Sequence, residues 1–566
     1  MSLNEKKLRV LPGIIIVVIQ WFLWLILPLI APADEVMMAA VAGGALGAVA
    51  VALWWIFWSK APVVDRIGAI LLSIISLLVT ARFVDISIAT ANMGLMLAIY
   101  SLPVISLALV ISAAIAKSLP DRNRRIVIAT AIIAASGVWL FLKTDGLTGD
   151  FRQQLNWRWA KTAEQKFLDS QAKEDMEPAV KARGAGEWPG FRGKDRDGIA
   201  RGIKISSEWK TSPPVLLWQR RVGPGCSSFA AGGGLIYTQE QRGEDESVTC
   251  YDLANGRPVW IHTDKTRFWD SHTGAGPRGT PALHKGRVYA FGGTGILNTL
   301  DAAKGTLIWS RDVSKDTGIK ALTWGFTSSP LIYGDAVYVA AAGKMAAYDL
   351  ESGRPKWFGP EGGKSYSSPH LVTINGVPQI ALLNEPGVIS FNPADGKALW
   401  AYAWKGEDRV IQPAFTDDGG ILLGVNLQGM RRIVVSQDKN NNWNIKEGWA
   451  SSAAKPNFND YAAHKGYLYG YNGLSLICID MRDGKLKWKG GSFGGQLILL
   501  ADQDALLLIS EAGELVLIEA VPGHFKVLAR FPAIKGRTWN HPALAGNIVL
   551  VRNSGEAAAF RLPLPK

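Results

Sequence analysis

Chemically versatile side chains are scarce in this chain. Its 566 residues include only three cysteines, Cys226, Cys250 and Cys478, with no CxxC, adjacent pair or CxxCH among them. That excludes a zinc ribbon, a thioredoxin-type dithiol and covalently attached haem. The seven histidines are dispersed, and no phosphate loop or His-rich metal motif is present, so nucleotide hydrolysis and zinc-hydrolase chemistry have no support in the sequence. Concentrated charge is missing too. The formal net charge of +13 is spread thinly, with 11 basic against 8 acidic residues in positions 1–150 and 50 against 40 in the rest. No basic arm or patch for nucleic acid is formed. Glycine and tryptophan are plentiful instead, 60 and 22 residues, a composition that points to turn-rich β-structure packed on aromatic rings. At this length at least two domains are expected.

Charge is absent altogether from five apolar stretches in the first quarter: Ile14–Ile30, Val36–Trp58, Ile67–Ala81, Met93–Ala116 and Ile126–Leu142. A helix of about 20 such residues spans a bilayer, so five transmembrane helices are predicted, the third short unless its ends dip into the headgroups. Lys6, Lys7 and Arg9 precede the first. Lys60 and Arg66 separate the second from the third, and Lys117, Arg122, Arg124 and Arg125 separate the fourth from the fifth. The positive-inside tendency then puts the N-terminus in the cytoplasm and everything after Leu142 outside, in the periplasm of a bacterial inner membrane. A leader cleaved near Ala31-Pro32-Ala33 is the competing reading of the first stretch, whose apolar run is longer than usual for a signal peptide. Either reading leaves the C-terminal part outside. Arg82 and Asp85 fall at the predicted outer edge of the third helix, an interfacial place rather than a quinone or ion site.

Residues 144–187 read as a polar stalk between a five-helix domain, 1–143, and a second domain, 188–566. Phe151, Trp157 and Trp159 beside Arg152 and Arg158 suit the headgroup layer. Thr162 and Gln165 form a capping-box pattern ahead of Phe167, predicting a short helix to about Ala172.

The second domain repeats itself. The pattern D-x3-G-x3-W recurs as Asp252/Gly256/Trp260, Asp301/Gly305/Trp309, Asp349/Gly353/Trp357 and Asp480/Gly484/Trp488, with Asn392/Gly396/Trp400 as a conservative copy. Asp starts a tight turn by bonding its own backbone, Gly supplies a positive φ, and Trp on the next strand anchors a neighbouring unit. Tryptophans 218, 260, 309, 357, 400, 449 and 488 are 39 to 49 residues apart, the period of four-stranded propeller blades. An eighth position near Leu528 has lost its Trp. The leftover 539–561 supplies three strands, and Val215–Val222 supplies a fourth. The fold class is therefore an α-helical transmembrane domain followed by an all-β, eight-bladed propeller whose last blade joins both ends of the domain.

These repeats resemble those of pyrroloquinoline quinone (PQQ)-type propellers, and Trp188-Pro189-Gly190-Phe191-Arg192-Gly193 with Asp197-Gly198 resembles the start of bacterial PQQ-binding-like repeat proteins. Five helices ahead of the propeller also resemble membrane quinoprotein glucose dehydrogenases by count and order. The resemblance implies a fold more than a reaction, since the wider group holds both dehydrogenases and a non-enzymatic lipoprotein of outer-membrane barrel assembly.

Propeller ligands bind over the channel, on the face made by the loops entering each inner strand. There, Arg278, Trp324, Arg537, Trp539 and His541 are hard to explain as turn chemistry, and are of the types that three carboxylates and a flat ring would need. Bound PQQ further implies a carboxylate base and Ca²⁺; Asp460 is the candidate base, and Glu385 and Asn459 the candidate metal ligands. The bland alternative is that each Arg caps carbonyls and each Trp packs between blades. The propeller spends about 380 residues on eight blades, near the minimum for such repeats, with no insertion to cap a cofactor. Two functions follow. The first is a membrane-anchored binding or scaffolding propeller of the bacterial envelope, with the bilayer and envelope proteins as partners. The alternative is a PQQ-dependent dehydrogenase of alcohols or sugars that passes electrons to ubiquinone.

Overall fold

The computed structural model describes residues 8–30, 33–149, 152–171, 186–406, 409–416, 418–425 and 428–565. Lys6, Lys7, the Ala31-Pro32 pair, Phe151 and Ala172, all used in the sequence reading, lie outside the described residues. The chain forms two compact units, Met1–Ala160 with Ser271–Thr273, and Lys161–Asp270 with Gly274–Lys566.

In the first unit five helices are long and apolar enough to cross a membrane: Leu11–Ile30, Ala39–Trp58, Val63–Ala81, Met96–Ser118 and Asp121–Phe141. They coincide with the five apolar runs. The third gains a turn from Val63–Arg66 and reaches 19 residues, about 28 Å at the α-helical rise. Small residues bring the first two helices together: a Cβ on Gly13 would strike the Trp54 ring, and Gln20 donates to the Gly44 carbonyl at 2.7 Å. Asp65, at the start of the third helix, is buried and accepts from Arg124 at 2.7 Å and Arg125 at 2.6 Å on the fifth. Asp85 caps the short helix Ile86–Thr90 by accepting from Ser87 N at 3.0 Å, and Arg158 lies 3.7 Å away. A hairpin, Leu142–Leu147 with Gln153–Trp157, continues from the last helix. Exposed Phe141, Trp157 and Trp159 make one aromatic surface, the two indoles stacked at 5.1 Å and 9°.

The second unit is the eight-bladed propeller. Blades 1 to 7 span residues 230–264, 282–312, 331–358, 370–403, 414–451, 462–492 and 496–532, each a meander of four strands. Blade 8 takes three strands from 543–561 and its outer strand from Val215–Arg221, paired antiparallel from Glu556↔Arg221 to Arg561↔Val215. Its inner strand packs on that of blade 1 and closes the ring.

The repeat pattern has a direct physical reading. Asp252 accepts from Ala254 N at 2.8 Å and holds the turn, and Gly256 follows at φ +70°. A Cβ on Gly256 would sit 2.5 Å from the Trp218 ring, which belongs to the preceding blade and donates its indole N–H to the Leu253 carbonyl at 2.8 Å. The same lock joins Trp260 to Gly305, Trp309 to Gly353, Trp357 to Gly396 and Trp449 to Gly484. Two departures have local causes. Trp400 faces blade 5, whose outer turn 438–442 lacks the Gly, and it donates instead to Gln379 of its own blade at 2.6 Å. Leu528 replaces the eighth Trp because it faces blade 8, where the outer strand comes from elsewhere in the chain and no turn exists to receive a ring.

The capping box forms as expected: Thr162 N donates to Gln165 Oε1 at 2.9 Å and Gln165 N to Thr162 Oγ1 at 3.1 Å. The helix Ala163–Gln171 then docks on blade 1 through buried Phe167, under Arg242, and through a Glu164–Arg267 ion pair at 2.8 Å.

Candidate functional site

The loops entering the inner strands form a hydrogen-bonded belt around the channel. Ser228 N donates to Thr280 Oγ1, Thr280 N to Ser329 Oγ and Ser329 N to Ser368 Oγ, each at 3.0 Å. The chain continues from Ser368 N to Gln412 Oε1 at 2.9 Å, Gln412 N to Asp460 Oδ1 at 2.8 Å, and Asp460 N to Gln496 Oε1 at 3.4 Å. Ser228 Oγ donates to the His541 carbonyl at 2.6 Å and joins blade 8 to blade 1. The Ser, Thr and Gln side chains of these loops are thus set by a position that must offer an acceptor to the preceding blade.

Inside the belt the channel is filled by the chain's own segment 186–205. Trp188 pairs with Ala231 of blade 1, and the Pro189 carbonyl accepts from Leu283 N of blade 2 at 2.7 Å. Arg196 donates to the Pro330 and Ser329 carbonyls of blade 3 at 2.8 and 3.0 Å, and Arg192 to the Tyr461 carbonyl of blade 6 at 2.5 Å. Phe191 meets the His541 ring of blade 8 edge-on at 5.1 Å. Ile199–Ala200 then runs parallel to Leu499–Leu500 of blade 7. The segment comes in beside Gly546 and leaves by bonds from Gly202 N to Asp502 and from Ile205 N to Gln503. Both lie at turns between first and second strands, so the loop inserts from the face opposite the belt. Its tip is turned by Arg192, Gly193, Arg196 and Gly198, all at φ between 58° and 88°.

Asp460 sits where belt and tip meet. One oxygen accepts from Gln412 N, and the other lies 3.2 Å from His541 Nε2 and 3.8 Å from Arg192 Nε. Burial raises its pKa, but Arg192, His541 and the Gln412 N–H outweigh that and hold it below the ordinary value. His541 is pushed down by burial against the pull of Asp460, and His370, 3.1 Å from Gln412 Oε1, lies well below the usual histidine range through burial and the charges of Arg196 and Arg192. Arg196 falls to about 9, chiefly through burial and further through Arg192.

The remaining sequence-predicted residues divide into three groups. Arg278 and Arg537 do come within electrostatic reach: burial lowers the Arg537 pKa, Cys226, Glu511 and Asp270 oppose it, and Arg278 adds to it. Arg278 is held by Asp270 at 2.5 Å, by the Gly274 carbonyl at 2.9 Å and by the Gly276 carbonyl, over the Phe268 ring. The two tryptophans belong to separate pairs. Trp324 lies on Tyr366 at 4.6 Å, and Trp539 on Phe458 at 4.6 Å with its N–H on Glu511 at 2.9 Å and the Arg537 guanidinium 4.5 Å over its ring. The metal candidates sit on different blades, Glu385 accepting from Lys364 N at 3.0 Å and Asn459 donating to the Gly495 carbonyl at 2.6 Å. Among the described residues no group of three His, Cys, Asp or Glu side chains is placed to hold a metal ion.

These residues do not fit PQQ with Ca²⁺. The channel arginines are spent on carbonyls and Asp460, Arg278 is spent on its own loop, and a segment of the chain lies along the channel axis. The letters of a nucleophile elbow occur at Gly490-Gly491-Ser492-Phe493-Gly494, but Ser492 ends an outer strand with no helix after it, so the strained strand-to-helix turn is missing. From sequence alone Trp188–Gly198 had no place in the site. Its signal was three glycines interleaved with Arg192, Arg196 and Asp197, a spacing suited to a tight charged tip rather than a strand.

Fold and repeat together define a PQQ-like repeat propeller behind a set of membrane-length helices. Within it, residues 244–490 match the family model described as outer membrane protein assembly factor BamB. The chain is 25% identical over 302 residues to the assembly factor BamB of Moranella endobia (strain PCIT), covering 49% of this chain and 72% of that protein. It is 25% identical over 286 residues to BamB of Yersinia pestis, covering 46% and 69%. Solved structures of similar fold include a quinohemoprotein alcohol dehydrogenase from Comamonas testosteroni, with 14% identity, TM-score 0.47, and 71% and 85% of the two chains covered. BamB from Moraxella catarrhalis is another, with 13% identity, TM-score 0.44, and 62% and 98% covered.

Proposed function

We propose that this chain is a membrane-anchored scaffolding propeller of the bacterial envelope, its propeller on the periplasmic side of the inner membrane. The observation that carries the reading is the loop 186–205, which fills the channel, bonds to blades 1, 2, 3, 6 and 7 and packs a ring on blade 8. A ligand taken up along the axis would have to displace those bonds, so recognition falls to the outer surface and the loops. The assembly-factor relatives support the same reading. Lys117, Arg122, Arg124 and Arg125 on one side of the helices support the orientation.

Three experiments test it. Titrating the purified full chain with PQQ in saturating Ca²⁺ should give no saturable quenching of tryptophan fluorescence; one-site binding with a quinone absorbance change would establish the dehydrogenase instead. A reporter active only outside the cytoplasm should be active after Lys566 and silent at Asp121, and activity at Asp121 would overturn the orientation. For the partner, a photo-crosslinker at exposed outer-strand positions Val215, Leu307 or Leu486 should capture one envelope protein in living cells. Failure at every blade edge would count against the scaffold.

A further inference from the structure

We propose that the inner edge of blade 4, His370–Ile374, is a docking site for an extended, mainly apolar segment of an envelope protein, which pairs with it as an added strand. The inserted loop shows how such an edge is used. Ala231, Leu283 and Leu499 each stand three residues after a belt residue, Ser228, Thr280 and Gln496 respectively. Each turns its N–H toward the channel and donates it to a carbonyl of the loop: Ala231 to Trp188 at 2.7 Å, Leu283 to Pro189 at 2.7 Å and Leu499 to Gly198 at 2.8 Å. The repeat puts Leu371 at the same step after the belt residue Ser368. The loop passes it by, and among the described residues its N–H reaches no acceptor beyond its own blade.

Strand length singles out blade 4. Among the described residues its inner strand runs five residues, as does Gln496–Leu500 of blade 7, whereas the other inner strands run two or three. In blade 7 that length is used: Ile199–Ala200 of the loop lies in parallel register on Leu499–Leu500, both fully buried. In blade 4 it is open, with Leu371 37% exposed and Thr373 exposed as well. The Asn375-Gly376 turn pairs Ile374 with Val377. That register leaves Leu371 and Thr373 as two outward steps of the backbone, the alternation through which a sheet edge takes a partner strand. Half-buried Ile332 of blade 3 and Phe415 of blade 5 flank the edge, Phe415 lying 6.2 Å from the His370 ring, so the segment that fits is apolar, like Gly198-Ile199-Ala200 on blade 7. It enters from the face by which the loop inserts, and it breaks none of the loop's bonds. The inference deepens the scaffold reading and rests on it: the edge is one place where the scaffold takes hold of its partner.

The probe is a fluorescein-labelled peptide with the sequence of residues 197–205, titrated into the purified full chain in detergent. Its anisotropy should rise to saturation at one peptide per chain, and amide exchange should slow in residues 370–374 while 496–500 stay unchanged. Thr373→Pro deletes one outward N–H at a kind of position where an edge strand tolerates proline. It should weaken binding about tenfold with little change in melting midpoint, and a peptide carrying Pro in place of its first Ile should bind as weakly. The exchange measurement uses the unaltered chain and decides the matter even if the variant fails to fold. Four results would overturn the proposal: no saturable binding, binding that leaves 370–374 unchanged, a change at 496–500 instead, which means that the peptide displaces the loop, or protection of 370–374 that grows with protein concentration alone, which assigns the edge to a second copy. Each leaves capture at the outer strands standing, whereas one-site binding of PQQ strikes the scaffold reading itself.

Discussion

Deleting Val215–Val222 should cost the propeller its stability out of proportion to its eight residues. The strand carries Trp218, 7% exposed, whose ring lies under Gly256 and whose N–H satisfies the Leu253 carbonyl at 2.8 Å. Truncating Trp218 to Ala removes that packing, about 3–5 kcal/mol for a buried aromatic, and leaves a carbonyl short of its donor, about 1–3 kcal/mol more. Removing the whole strand also takes fully buried Val222 and six cross-strand pairs with Glu556–Arg561. At about 0.5–1.5 kcal/mol net per hydrogen bond, the total reaches the roughly 5–15 kcal/mol that holds a typical domain folded. It also bares the edge of blade 8, a template for aggregation. Urea unfolding of the full chain in detergent, followed by tryptophan fluorescence, should show Trp218→Ala destabilised by about 4–8 kcal/mol and the deletion without a cooperative transition. A deletion with the midpoint of the intact chain would refute the shared blade.

Three further outcomes follow from the same structure. Unfolded His370 and His541 take up protons below about pH 6.5, while in the folded channel burial lowers both pKa values. Stability present above that pH is therefore lost as pH falls, by up to about 1.4 kcal/mol per unit for each histidine. Glu246, pushed up to about 7 by burial, works the other way and gains stability as pH falls from 7 toward its unfolded value. Glu246→Gln should thus steepen the acid loss between pH 7.5 and 5.5 and His370→Gln should flatten it, and identical slopes would refute both assignments. Phe167→Ala should release the helix Ala163–Gln171 from blade 1, seen as faster amide exchange in that helix with the blade unchanged; equal protection would mean that Glu164–Arg267 alone holds it. Trp400→Ala should leave the blade 4 to blade 5 junction less affected than Trp309→Ala leaves the junction of blades 2 and 3, because only Trp309 bonds to the next blade.

The propeller was legible because its repeat encodes contacts between neighbours. Asp252, Gly256 and Trp260 are eight residues apart in sequence, and each copy reports a turn and the ring that locks the next one. The membrane helices were legible because hydrocarbon tolerates no charge over about 20 residues. The site was harder. Arg278 and Arg537 could be brought together by counting blades, but nothing in sequence shows that Arg278 is consumed by Asp270 eight residues before it. Asp460 reads as a lone acid in a loop, whereas in space it replaces a Ser, Thr or Gln of the belt. The belt is a long-range periodicity of side-chain acceptors whose residue types vary, so no motif of fixed letters reveals it. Trp188–Gly198 sits outside the repeat and carries no period at all, which is why its place along the channel could not be read.

The inserted loop changes what the rest of the fold must do. Eight blades leave an axial channel too wide for inner-strand side chains to cross, and its walls are polar: the belt oxygens, the carbonyls of Ser329, Pro330 and Tyr461, and His370. Polar groups buried there need partners, which solvent, a ligand or the chain itself can provide. This chain provides its own, reaching with Arg196 to blade 3 and with Arg192 to blade 6 on the far side of the ring. A brace of that kind resists ovalisation of the ring in a way that contacts between adjacent blades do not, because it couples blades that share no edge. The brace and a cofactor compete for the same carbonyls and the same axis. Fixing the loop there gives rigidity to a platform whose outer strands and loops stay free for a partner, and it withdraws from the channel the cations that an anionic cofactor would need.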